Sequence, residues 1–271
     1  MKTMKQLSGL LAILILAVSV QSCGNAQKRK EAKQAHEAIK QEVQQFAYPL
    51  PSMFELTEML TNIQAGYIVT LSNDPSKAKS YFTDKLKAVN LGSYASDLAY
   101  AITYNSQAEV EAYFQACEQL VRELGFVDAF DKSLPDQIKS NINNREALVK
   151  IVTEMIEKSY SHLNAQGRTE VSYLVLAGTV VEGLYLATNI SENSYQNPEI
   201  VKTIISQKES LLKLQELMTP GKDTEALKEA YADIVKINAI YAQTEGSSAM
   251  TRRQIEELTA LVREIRANYT K

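Results

Sequence analysis

Few side chains in this sequence suit chemistry, and those that could share a task are acids and tyrosines set in apolar surroundings. Glu58 sits in Phe54-Glu55-Leu56-Thr57-Glu58-Met59-Leu60, Asp97 in Tyr94-Ala95-Ser96-Asp97-Leu98-Ala99-Tyr100, and Glu182 just before Gly183-Leu184-Tyr185. A carboxylate withdrawn from water needs hydrogen-bond donors or a cation. Tyr67, Tyr100, Tyr104, Tyr173 and Tyr185 could supply hydroxyls. If their helices pack together, Glu58, Asp97, Tyr100, Glu182 and Tyr185 would line a polar pocket for a small polar ligand or a cation. The plainer alternative is that each acid is satisfied inside the core or reaches the surface, because Tyr–carboxylate bonds between helices are ordinary structural features. An enzyme would use the same acids for proton transfer, and a strongly raised pKa on Asp97 or Glu182 would favour that reading. Two acids could also form a glycosidase pair, although a helical bundle without Trp makes a poor carbohydrate cleft.

Other chemistries lack their residues. The two histidines, His36 and His162, cannot build a multi-histidine metal site in one domain. Neither belongs to a Glu-x-x-His pair, since Lys33 and Ser159 occupy the positions three residues before them. No Gly-x-Ser-x-Gly elbow and no phosphate-binding glycine loop occurs. Cys117, in Ala112-Tyr113-Phe114-Gln115-Ala116-Cys117, has no basic neighbour to lower its pKa and reads as a buried structural thiol. No catalytic residue, metal or cofactor is therefore assigned.

The elements that must position the acids are helices. Beyond Pro51, capping-box spacings recur at Ser52-x-x-Glu55, Ser106-x-x-Glu109, Asn143-x-x-Glu146 and Thr251-x-x-Gln254. Asp74-Pro75 and Asn197-Pro198 set a cap before a proline. Stops are expected at Asn73, Asn90 to Gly92, Gly125, Asn164 to Gly167, Asn193 to Asn197, Thr219 to Lys222 and Glu245 to Ser248. No run alternates as a strand between hairpin turns. The fold class expected is all-α, a multi-helix bundle in which paired helices could stack. Residues 171–190, VSYLVLAGTVVEGLYLATNI, are apolar on nearly every face and predict the central helix, with Glu182, Gly178 and Gly183 arguing for close packing over a membrane span. The segments 222–242 and 251–268 are conventionally amphipathic.

The N-terminus reads as an address. Lys2 and Lys5 precede the apolar run LLAILILAVSV, which is too short to span a bilayer, and Val20-Gln21-Ser22-Cys23-Gly24 resembles a bacterial lipobox with Gln21 departing from the usual small residue. Residues 1–22 are expected to be a lipoprotein signal peptide, with Cys23 lipidated. Residues 23–47 form a polar helical tether, ended by Tyr48-Pro49-Leu50-Pro51, and residues 48–271 form one globular domain. The run Lys28-Arg29-Lys30 would lie beside anionic headgroups or serve as a solvated linker. At 271 residues with 45% hydrophobic residues, the chain buries a substantial core. Removing Lys2 and Lys5 with the leader leaves 27 basic against 32 acidic residues, which argues against nucleic-acid binding.

The stretches YPLPSMFELTEML, YFTDKLKAVNLGSYASDLAY and LVLAGTVVEGLY resemble a group of uncharacterised all-helical lipoproteins of Bacteroidota. The resemblance implies an outer-membrane-associated helical domain, and it brings no activity, ligand or catalytic residue. Acidic residues after the lipidated Cys, typical of surface-displayed lipoproteins of that phylum, are missing, so a periplasm-facing placement is expected. The expected function is a binding or interaction module, held by membrane lipid through Cys23 and meeting an envelope protein or a small polar ligand. The rivals are an enzyme using its acids in an interhelical pocket and a structural envelope protein.

Overall fold

The computed structural model describes residues 53–191, 194–244 and 249–271, and the chain over these residues is all-helical. The leader, Cys23 and the tether lie outside the described residues. Ten α-helices follow one another: α1 (Met53–Asn62), α2 (Asp84–Thr103), α3 (Gln107–Glu123), α4 (Leu134–Ser140), α5 (Arg145–Ala165), α6 (Thr169–Asn189), α7 (Pro198–Ser206), α8 (Lys208–Met218), α9 (Lys228–Ala242) and α10 (Arg252–Tyr269). Several start where the sequence places caps. Thr251 and Gln254 form a complete capping box, and the Asn197 side chain accepts from the amides of Glu199 and Ile200. Asp74 caps a 3-10 turn, Pro75–Ser80, by accepting from the Ser76 amide. Asn144, one residue beyond the expected Asn143, caps α5, and Ser106 stands at the head of α3 without a side-chain cap bond. Gly125 and Gly167 end α3 and α5 with φ of 76° and 70°, a region that a Cβ disfavours.

One expected stop is not a stop. Asn90, Leu91 and Gly92 lie in the middle of α2. Gly92 is there for packing: a Cβ on it would sit 1.9 Å from the Val175 carbonyl oxygen of α6, and a Cβ on Gly178 would sit 1.9 Å from the Val89 carbonyl oxygen of α2. The two helices thus cross backbone to backbone, with each glycine opening the way for the other strand of the crossing. Thr179 and Ser96 hydroxyls add bonds to the Gly92 and Thr179 carbonyls at 3.3 and 3.0 Å. The Asn90 side-chain Nδ2 donates to the Leu86 and Tyr269 carbonyls at 2.8 and 2.6 Å, which satisfies its donors inside the core while its Oδ1 is left without a partner among the described residues.

Helix α6 is central, packing against α1, α2, α5, α7, α8, α9 and α10. It is the one described helix long and apolar enough to cross a membrane, and most of it is buried inside the bundle. Between α1 and α2, residues 63–83 run largely without α-helix over the bundle as a strap. Helix α5 packs less closely, leaving Met155, Ile156 and Ser159 half-buried.

Candidate functional site

Asp97 of α2, Glu182 of α6 and Arg266 of α10 converge beneath the strap, and Asn73 of the strap joins them. The Asn73 amide nitrogen and its side-chain Nδ2 both donate to Asp97 Oδ2 at 3.1 Å. The same Nδ2 donates to Glu182 Oε2 at 3.0 Å. Arg266 Nε donates to both Glu182 oxygens at 3.0 and 2.8 Å, and an Arg266 terminal nitrogen donates to the Leu71 carbonyl at 2.8 Å. The guanidinium lies 3.9 Å from the centre of the Tyr185 ring, a cation–π contact. Asp97 and Glu182 expose no surface. Burial, reinforced by the neighbouring Glu182 carboxylate, holds the Asp97 carboxyl well above the usual carboxylate range. Its Oδ1 is buried without a hydrogen-bond partner among the described residues, and the Asn73 bonds and the Arg266 charge, which favour the charged form, do not outweigh the burial.

Tyrosine hydroxyls fix the rest of the strap. Tyr94 donates to the Asp74 carbonyl at 2.9 Å, Tyr104 to the Ala65 carbonyl at 2.8 Å and Tyr113 to the Asn73 carbonyl at 3.0 Å. Tyr100 accepts from the Ile68 amide at 3.0 Å, and the Tyr67 ring packs, tilted, against those of Tyr100 and Tyr104. An irregular segment over an apolar core has backbone groups that secondary structure does not pair, and these side chains pair them.

Of the five residues expected to share a pocket, Asp97, Glu182 and Tyr185 meet in one network through Asn73 and Arg266, while Tyr100 serves the strap at Ile68. Glu58 stands apart, exposed and 3.5 Å from Arg145. Tyr173, a further hydroxyl considered for the pocket, is half-buried on α6. A proton-holding acid beside a carboxylate has the make-up of a general acid–base pair, but these atoms face the strap backbone and Arg266, with no surface through which a substrate could reach them. The arrangement closes a fold. Asn73 and Arg266 went unnamed as site residues at the sequence level. Asn73 registered only as a helix stop, and Arg266 looked like one more cation on an amphipathic surface helix. Burial pushes the Cys117 thiol up, away from thiolate chemistry. Among the described residues no group of three His, Cys, Asp or Glu side chains could hold a metal ion.

The open space lies elsewhere. Between α2, α3, α5 and α6 there is a narrow inner chamber of about 50 Å³, walled by Leu98, Cys117, Val121, Val152, Ile156 and Leu176 and almost wholly apolar. Beside it, under the turn Val127–Ala129 and the head of α4, is an outer chamber of about 350 Å³. Val121, Phe130 and Met155 line both, so the partition is a half-buried ring and a flexible thioether. Glu118, Asp128, Asp131 and Lys132 edge the outer chamber. Apolar walls with a few polar groups at one edge suit apolar or amphipathic ligands. The signal in the sequence was the adjacent Met155 and Ile156, which widen the apolar stripe of α5 beyond what one packed face needs. A third, more polar hollow between the end of α6 and α10 is partly closed by its own pairings, Arg263 with Asn189 at 2.5 Å and, at its edge, Glu256 with Arg252 at 2.7 Å.

No protein-family model, no curated protein and no solved structure matches this chain.

Proposed function

We propose that this chain is a lipid-anchored envelope protein, held at a membrane by acylated Cys23 and facing the periplasm, whose helical domain binds an apolar or amphipathic small molecule beneath α5. The observation that carries the binding reading is the pair of adjoining chambers, apolar within and charged at one edge. Asp97 and Glu182, the acids that an enzyme would use, hold the strap instead, which favours a binding module over an enzyme. The lipobox-like Val20-Gln21-Ser22-Cys23 and the resemblance to helical lipoproteins of Bacteroidota support the anchor. The ligand class differs from the small polar one that the acids alone suggested, because the polar residues face inward and the accessible walls are apolar.

The test is mass spectrometry of the full chain taken from its own membrane in detergent-free polymer particles, beside a Cys23→Ala variant. A diacyl or triacyl increment that disappears in the variant, together with a non-covalent lipid-like adduct on the folded chain, is the expected result. An unmodified mass overturns the anchor, and a folded chain free of adduct that also takes up no alkyl probe overturns the binding reading.

A further inference from the structure

Resting on that reading of the chambers, we infer that the ligand is a single-chain zwitterionic phospholipid, a lysophospholipid with a phosphoethanolamine head. The two chambers, about 50 and 350 Å³, together have room for one alkyl chain and not for two, and the inner walls offer it little besides hydrocarbon, a thiol and the hydroxyls of Ser159, Ser172 and Tyr160. The outer edge has the opposite character. Glu118 is already neutralised by Arg122 at 2.9 Å. Lys132 makes no ion pair among the described residues and is exposed, so its ammonium is available to a phosphate. Asp131 is held below the usual carboxylate range by its bonds from Ser133, so it stays charged, and with Asp128 it offers two carboxylates to an ammonium. Lys158 also acts on Asp131 but is paired with Glu154 at 3.9 Å, so Lys132, Asp128 and Asp131, within five residues at the mouth of a one-chain slot, complement a head that carries a phosphate and an amine. A fatty acid would satisfy Lys132 alone and leave both carboxylates facing its own.

The experiment uses the full-length protein in native membrane vesicles and a lysophosphatidylethanolamine with a diazirine in mid-chain. Illumination is expected to label peptides of α3 and α5 that contain Val121, Met155 or Ile156. Unlabelled lysophosphatidylethanolamine should compete at least tenfold better than palmitate or diacyl phosphatidylethanolamine. Ala95→Leu, which fills the inner chamber, should abolish labelling of Ile156 without lowering the unfolding midpoint, and Ser159→Val on the facing helix provides the same plug should the first variant not fold. Lys132→Glu should weaken competition by about tenfold. Equal competition by palmitate overturns the head-group assignment while leaving the chamber as a binding site, and equal competition by the diacyl lipid overturns the single chain. Labelling scattered over the surface, or untouched by both plugs, overturns the lysophospholipid site, and failure of a diazirine palmitate to label the chambers as well removes the binding reading beneath it.

Discussion

Asp97 prefers its proton in the folded state, and that preference has a sign. Because its pKa is raised on folding, the stability linked to it is fully present below the unfolded value of about 4 and is lost as pH rises through the folded value. Asp97→Asn keeps an oxygen to accept from Asn73 and removes the titration, so the variant is expected to match the parent in acid and to outlast it at neutral and alkaline pH; unfolding midpoints measured from pH 4 to 9 check this. Asp97→Ala instead strands two Asn73 donors and should cost about 1–3 kcal/mol in acid, a cost that shrinks as pH rises through the folded value of the parent, read from denaturant titrations. Glu182→Gln leaves the Arg266 charge facing an amide. Breaking such a pair costs about 3–5 kcal/mol when it is deeply buried. The 16% exposure of the Arg266 side chain places the expected loss at the lower end, about 3 kcal/mol. Urea unfolding should show it, and a loss under about 1 kcal/mol would mean that solvent replaces the pair.

At the scale of elements, the crossing of α2 and α6 is the least forgiving feature. Gly92→Ala or Gly178→Ala places a methyl 1.9 Å from a facing carbonyl oxygen, and backbone cannot yield as a flexible side chain does. Each is expected to cost about 4 kcal/mol or more, read from soluble yield and thermal midpoint, whereas Gly66→Ala, with open space around it, should be near neutral. The same crossing explains what the sequence made legible. Helix existence was plain from periodicity and caps, as at Thr251 and Asn197, because those signals are local. Gly92 looked like a terminator, since glycine after asparagine ends helices more often than it opens a helix to a neighbour. Only the partner at Gly178, far along the chain, distinguishes the two uses. Asp97, Glu182 and Tyr185 were legible as polar residues in apolar stretches that must find partners. Their partners Asn73 and Arg266 were not, because a strap residue and a surface-helix cation acquire meaning only once distant elements are brought together. The chambers were less legible still: Met155 and Ile156 widen a stripe, but a shortfall of packing exists only once the facing helices are in place.

For the whole molecule, uneven packing predicts uneven opening. Amides of α5 should exchange with solvent well before those of α2 and α6, and a bound single-chain lipid should slow α5 selectively; hydrogen exchange followed by mass spectrometry checks both statements. Uniform exchange across the bundle would count against α5 as the wall that yields. The Glu182 carboxylate also has a part before any of this packing exists. A leader of the kind proposed delivers its chain unfolded through a protein channel that can open sideways into lipid, and α6 then passes as 21 residues of nearly uninterrupted apolar sequence. An ionised side chain near the centre of such a segment costs about 2.5–3.5 kcal/mol on entering the bilayer. On that proposed route, until Arg266, 84 residues later in the chain, arrived to neutralise it, the unpaired charge would act as a brake against leaving the future core helix behind in the membrane.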